Sequence, residues 1–154
     1  MRLPRRALVL LTTLATLIGV NLLISTPAQA ATSCSGTITH TETFSYPGEG
    51  VVGELTIYYN SSNGGTNSAC FYHRGRAYGV VAETYVYIMR CAQTSGEGQP
   101  CKSTFPGGSD DGNYAYQAGP VGVTGTANDC VGAIGWIVWH GTIIGTGNPK
   151  TWGC

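Results

Sequence analysis

Six cysteines, three histidines and one serine set among glycines are the residues of this chain with chemistry to offer. The cysteines, Cys34, Cys70, Cys91, Cys101, Cys130 and Cys154, are even in number and contain no C-x-x-C pair. Zinc ligation has little support from such spacing, and three disulfides would use all six thiols. Six cysteines allow fifteen pairings. Cys91 and Cys101 lie closest, and the residues between them, Ala-Gln-Thr-Ser-Gly-Glu-Gly-Gln-Pro, have loop chemistry. Pairing neighbours gives Cys91–Cys101 closing a hairpin loop, with Cys34–Cys70 and Cys130–Cys154. Chain entropy assigns the first of these closures about 2.8 kcal/mol.

The remaining reactive groups do not assemble a motif. His40, His73 and His140 share no i, i+2 or i, i+4 spacing, so the expectation is isolated histidines on strand surfaces or strand ends and no metal site. Gly107-Gly-Ser-Asp-Asp-Gly112 is not G-x-S-x-G, and a Ser109, His140, Asp129 triad could be drawn in any serine-rich protein. Asp110-Asp111-Gly112-Asn113 lacks the alternation of acids that a calcium loop requires and reads as a turn. Glu42, Glu54 and Glu83 could supply paired carboxylates for glycoside hydrolysis, but a chain this short seldom forms the cleft. No cofactor is expected. Nine tyrosines and three tryptophans remain. Trp136, Trp139 and Trp152 are the candidates for stacking on a ligand. Trp136 and Trp139, three apart on a strand, point to opposite faces, so one belongs to the core.

The start of the chain sets the compartment. Arg2, Arg5 and Arg6 precede an apolar run from Ala7 to Ile24, and Ala28-Gln29-Ala30 offers the small residues of a cleavage site. Residues 1–30 therefore read as a cleaved secretory signal and 31–154 as one exported domain. Beyond Ala30, five cations (Arg74, Arg76, Arg90, Lys102 and Lys150) face eight carboxylates, a formal charge of −3. That balance argues against nucleic acid as a partner. After cleavage no membrane partner is expected either. A surface of hydroxyls, amides and aromatic rings suits glycans or self-association.

These side chains must be held by strands. Gly53 to Tyr59 alternates, with Leu55, Ile57 and Tyr59 on one face and Glu54, Thr56 and Tyr58 on the other. Residues 36–45, 69–73 and 80–91 read as strands, as do Tyr114-Ala-Tyr116, Val121-Gly-Val123 and Cys130 to Ile144. Pro106 to Asn113 reads as a loop, and residues 106–125 as a hairpin turning at Gly119-Pro120. Because proline removes a donor, Pro120 belongs at an edge or corner. The expected fold is all-β: a small disulfide-stapled β-sandwich or β-barrel of about seven short strands.

Two segments carry a family likeness. Leu55-Thr-Ile-Tyr-Tyr-Asn-Ser-Ser-Asn-Gly-Gly-Thr-Asn-Ser-Ala-Cys70 and Asp111-Gly-Asn-Tyr-Ala-Tyr-Gln-Ala-Gly-Pro-Val-Gly-Val123, with Cys130 and Gly135 following, resemble the hairpin and the Ala-Gly-Pro-Val tract of the spore-associated protein A family of filamentous actinobacteria. Cys34 and Cys154 are placed as that family's end cysteines. The Cys91–Cys101 pair is additional, and Val131-Gly-Ala-Ile-Gly-Trp136 stands where the family has Trp-Gly-Gly. The resemblance implies a non-catalytic secreted protein of the spore or cell surface with a structural or interfacial task. A carbohydrate-binding module using exposed Tyr or Trp is the alternative, and a small secreted inhibitor or toxin presenting the 91–101 loop is the third.

Overall fold

The period of two in Gly53 to Tyr59 sends Leu55 and Ile57 into a core and Glu54, Thr56 and Tyr58 to the opposite face, and seven further strands among the described residues complete the fold. The computed structural model describes residues 33–102 and 107–154; residues 1–30, expected to be an export signal, and Pro106 lie outside them. The strands are β1 (Thr37–Tyr46), β2 (Gly50–Asn60), β3 (Thr66–His73), β4 (Ala82–Arg90), β5 (Gly108–Tyr114), β6 (Gln117–Thr124), β7 (Val131–Trp139) and β8 (Thr142–Thr146). They form two four-stranded antiparallel sheets, β1-β2-β3-β6 (sheet A) and β5-β4-β7-β8 (sheet B). The fold is a small all-β sandwich closed by three disulfides.

Packing between the sheets centres on Phe71. Its ring reaches from β3 across the interior, where Gly53 of β2 and Gly135 of β7 leave room for it. A Cβ on either glycine would stand 2.5 Å from that ring. Val52, Leu55, Ile57, Val86, Ile88, Val131 and Ile137 complete the buried layer around it. One lateral edge is closed by Asp110 of β5, which accepts from the Tyr114 hydroxyl and from the Gly119 amide of β6, both at 2.6 Å. At the other edge β1 faces β8 across an opening.

The disulfides are Cys34–Cys70, Cys91–Cys101 and Cys130–Cys154, the set that pairing neighbours gives. Each acts locally. The first pins the segment before β1 onto the outer face of sheet A, where the Ser68 hydroxyl also donates to the Ser33 carbonyl at 2.7 Å. The second closes the long β4–β5 connection. The third fastens the C-terminal tail to the start of β7. Three such bonds fit an oxidising compartment outside the cytosol.

Two expectations about the second half are corrected. Residues 108–113 are not a loop: Gly108–Tyr114 pairs in register with Ala82–Ile88 as an edge strand. Glycine and aspartate imitate turn composition, but charged side chains are also how an exposed edge is kept from pairing with another chain. Nor do residues 106–125 form a hairpin. β5 and β6 belong to different sheets, and the chain crosses between them at Ala115 and Tyr116. Pro120 lies exposed on the edge strand β6, beside the bulge between Ala69 and Phe71 of β3. The run from Cys130 to Ile144 is two strands, turning at His140-Gly141 where both residues have positive φ.

Candidate functional site

The open edge between β1 and β8 holds a polar cleft whose origin is a mismatch in chain length. Gly135 pairs with Thr146 and Val131 with Trp152. Four residue steps on β7 are therefore matched by six on the returning chain, which arcs away from the sheet. The arc leaves Ala133 as floor and places Thr146, Asn148, Lys150 and Trp152 around it, with Glu42 entering from the opposite sheet; the space is about 230 Å³. Glu42 points here because it shares the inward face of β1 with His40 and Phe44, opposite Ile57, Leu55 and Gly53 of β2.

Trp152 is the rigid element of this cleft. Its backbone exchanges two hydrogen bonds with Val131, at 2.8 and 2.9 Å, and Cys154 is bonded to Cys130 two residues further on. The His40 imidazole stacks on the indole at 3.7 Å between centroids and 8° between planes. Burial holds His40 below the ordinary imidazole range, the carboxylates of Glu42 and Glu97 pull it back upward, and Lys150 lowers it further. The imidazole backs the indole, and His40 Nε2 is buried with no hydrogen-bond partner among the described residues. The geometry can hold a flat apolar ring against Trp152 while a carboxylate, an ammonium, an amide and a hydroxyl address its polar rim.

The second surface is the outer face of sheet B. Tyr85 and Trp136 are cross-strand partners there, with Tyr87 and Ile134 beside them and Val138 opposite Ile143. Ile143 is 66% exposed. The Tyr85 and Trp136 rings lie 5.3 Å apart at 21°, too close for two rings lying side by side in one plane. They lean together, each covering part of the other's face. Gly145 on the edge strand lets β8 pass Trp136 closely; a Cβ there would stand 2.5 Å from the tryptophan Cα. Glu83, Ser109, Asp111 and Asn113 border this face.

The three tryptophans thus have different surroundings. Trp139 faces inward, is 8% exposed and belongs to the core, so the expectation that it could stack on a ligand is corrected. Its indole N–H donates to Glu49 at 2.8 Å. Trp136 is half-buried and has given one face to Tyr85. Trp152 has given one face to His40, packs in part against the core and is one of the residues that line the cleft.

Histidine placement departs from the expectation in two cases, His40 on the inward face of β1 against Trp152 and His73. His73 ends β3 but is fully buried, with Nε2 2.7 Å from the Thr84 hydroxyl and Nδ1 3.3 Å from the Ala77 carbonyl. Burial lowers its pKa. It is a structural crosslink from β3 to β4. His140 sits in the β7–β8 turn, its Nε2 3.1 Å from Glu49.

Ser109, His140 and Asp129 are not brought together: Asp129 precedes β7 and pairs with Arg90, while His140 follows the same strand, roughly 30 Å away at strand rise. Asp110 and Asp111 point to opposite faces of β5, so they cannot share one ion in the way a calcium loop requires. Glu54 is held below the usual carboxylate range by Arg74, which donates to it at 2.8 and 3.0 Å, and Thr56 adds a third bond. Among the described residues no three His, Cys, Asp or Glu converge as a metal set, and no helix there is long and apolar enough to cross a membrane.

Glu42, Thr146, Asn148 and Lys150 were not legible as a group, because β1 and the tail are brought together only by the sandwich. One local signal existed. A charged residue two positions from Phe44 on an edge strand shares its inward face, and inward charge marks a guarded sheet edge.

No family model matches this chain, and neither a curated protein nor a solved structure shows similarity to it.

Proposed function

We propose that the exported chain is a non-catalytic protein of the spore or cell surface, attached by the outer face of sheet B. The observation that carries this reading is the row of Tyr85, Tyr87, Ile134, Trp136, Val138 and Ile143 on the outer face of sheet B, with Ile143 exposed and the others half-buried. Apolar area of this kind gains about 25 cal/mol for each Å² removed from water. Contiguous apolar patches on secreted domains mark places of contact. Rings that lean on one another present edges and partial faces, which suits adhesion to an apolar layer better than stacking on single sugars. Three disulfides fit the same task, since a surface protein must persist where no cell machinery refolds it.

The likeness to the spore-associated protein A family points the same way and names the surface. The test is a wash series on spores or hyphae producing the protein. Detergent should release it and free sugars should not. The double variant Trp136→Ser, Ile143→Ser should appear mainly in the culture medium. Equal retention of that variant, or release of the parent chain by free sugar, would refute attachment through this face.

A further inference from the structure

We propose that the cleft between β1 and β8 is a binding subsite for one neutral pyranose ring, with Trp152 as its stacking platform. Four observations converge on this ligand class. The space, about 230 Å³, lies below the roughly 300–1,000 Å³ of sites for drug-sized ligands, so it admits one ring and not an extended chain. Its lining pairs one indole, that of Trp152, with groups of mixed character. Glu42 accepts hydrogen bonds, Lys150 donates them, and Asn148 and Thr146 do both. A pyranose has the matching form: apolar C–H faces that pack on an indole, and a rim of hydroxyls that both donate and accept. One carboxylate and one ammonium also leave the lining without net charge, which favours neither an anion nor a cation.

Preorganisation is the third observation. Trp152 is fixed by its bonds to Val131, by the neighbouring disulfide and by the His40 ring against its back. Little rotamer freedom is left to lose when a ligand arrives, and that saving goes into affinity. Fourth, the arc from Thr146 to Trp152 spends two residues more than continued pairing needs, so the cleft is built into the chain length. His40 acts as a positioning residue: it holds the platform and makes no contact with the sugar.

This subsite does not depend on the sheet B contact. It would recognise an exposed sugar of a wall or surface glycan whether or not the apolar face also adheres. The chemistry is shared by glucose and N-acetylglucosamine, and the experiment separates them.

The full exported chain, labelled with ¹⁵N, is titrated with glucose, N-acetylglucosamine and their β-1,4-linked dimers. The three indole N–H signals are assigned by single Trp→Phe variants. The Trp152 signal should shift and saturate with a Kd of about 1 mM, as expected for one small ring, while the Trp139 signal stays in place. Glu42→Gln and Lys150→Ala should each weaken binding about tenfold, and both positions can change without opening the core. His40→Ala should weaken binding with the same preference among sugars, because it loosens the platform and leaves the polar rim intact.

Absence of any shift at Trp152 with all four sugars would overturn the proposal. So would a response confined to Trp136, which would move sugar binding to sheet B, or an equal response to glycine, which would make the site one for zwitterions. Spore retention is measured separately, so failure of the surface reading and failure of the subsite give different results.

Discussion

At the residue scale, two buried positions carry consequences that can be measured. Gly135 faces the Phe71 ring, with Leu55 next nearest, so Gly135→Ala overpacks the centre of the sandwich. The expected loss is about 1–3 kcal/mol by urea denaturation; a change below about 0.5 kcal/mol would mean that Phe71 can move aside. His73 is held below its ordinary pKa by burial, and an unfolded histidine takes its proton near pH 6.5. The unfolded state therefore binds more protons as pH falls. The stability tied to a neutral His73 is complete above about pH 6.5 and is lost as pH drops toward the folded value. Between pH 7 and pH 5 the unfolding free energy measured in urea should fall, by at most about 1.4 kcal/mol per pH unit from this group. In His73→Gln the slope should be shallower, and an unchanged slope would assign the acid sensitivity elsewhere.

At the scale of elements, the two hairpins β1–β2 and β7–β8 lie in different sheets and meet at their tips, where the Tyr46 ring lies 5.3 Å from that of His140 and Glu49 makes the polar contacts. Glu49, in the β1–β2 turn, accepts from the Trp139 indole at 2.8 Å and lies 3.1 Å from His140. The indole bond, with help from His140, holds Glu49 below the usual carboxylate range. Glu49→Ala should raise amide hydrogen exchange at Tyr46–Gly50 and at His140–Thr142 while Leu55, Ile57 and Val86 keep their protection. Loss of protection throughout would show that the tips and core open as one unit. This contact was not legible in the sequence, because 90 residues separate Glu49 from Trp139 and nothing local marks the pair. Leu55 and Ile57 against Glu54 and Thr56 were legible, since the period of two is local and the core is made of such faces. Gly108–Tyr114 was misread because its glycines and aspartates carry turn chemistry, and only pairing with β4 makes it a strand. Trp152 could be named as a platform from its type alone, whereas Glu42 and Lys150 join it only through the topology.

At the scale of the whole molecule, stability is divided between a small core and three loops closed by sulfur. The loops run from Cys34 to Cys70, from Cys91 to Cys101 and from Cys130 to Cys154. They follow one another along the chain without overlapping, so their closure entropies act nearly independently. Chain entropy assigns them about 3.8, 2.8 and 3.5 kcal/mol respectively. Together these approach 10 kcal/mol, which is within the total stability of about 5–15 kcal/mol of ordinary domains. No single bond spans the two sheets, so loss of one should leave the sandwich folded and weakened in order of loop length. Cys34→Ser, Cys70→Ser should then cost more than Cys91→Ser, Cys101→Ser. Loss of all three should exceed what the core can hold, and in strong reductant the far-ultraviolet circular dichroism of the sheets should collapse at 25 °C. The ordering is the sharper test. Cys101 lies against β7, where a Cβ on Gly132 would stand 2.9 Å from its sulfur, so the short loop is docked on the sheet as well as closed. If removing Cys91–Cys101 proves the costliest of the three, that docking and not loop closure governs how the sulfur bonds stabilise the fold.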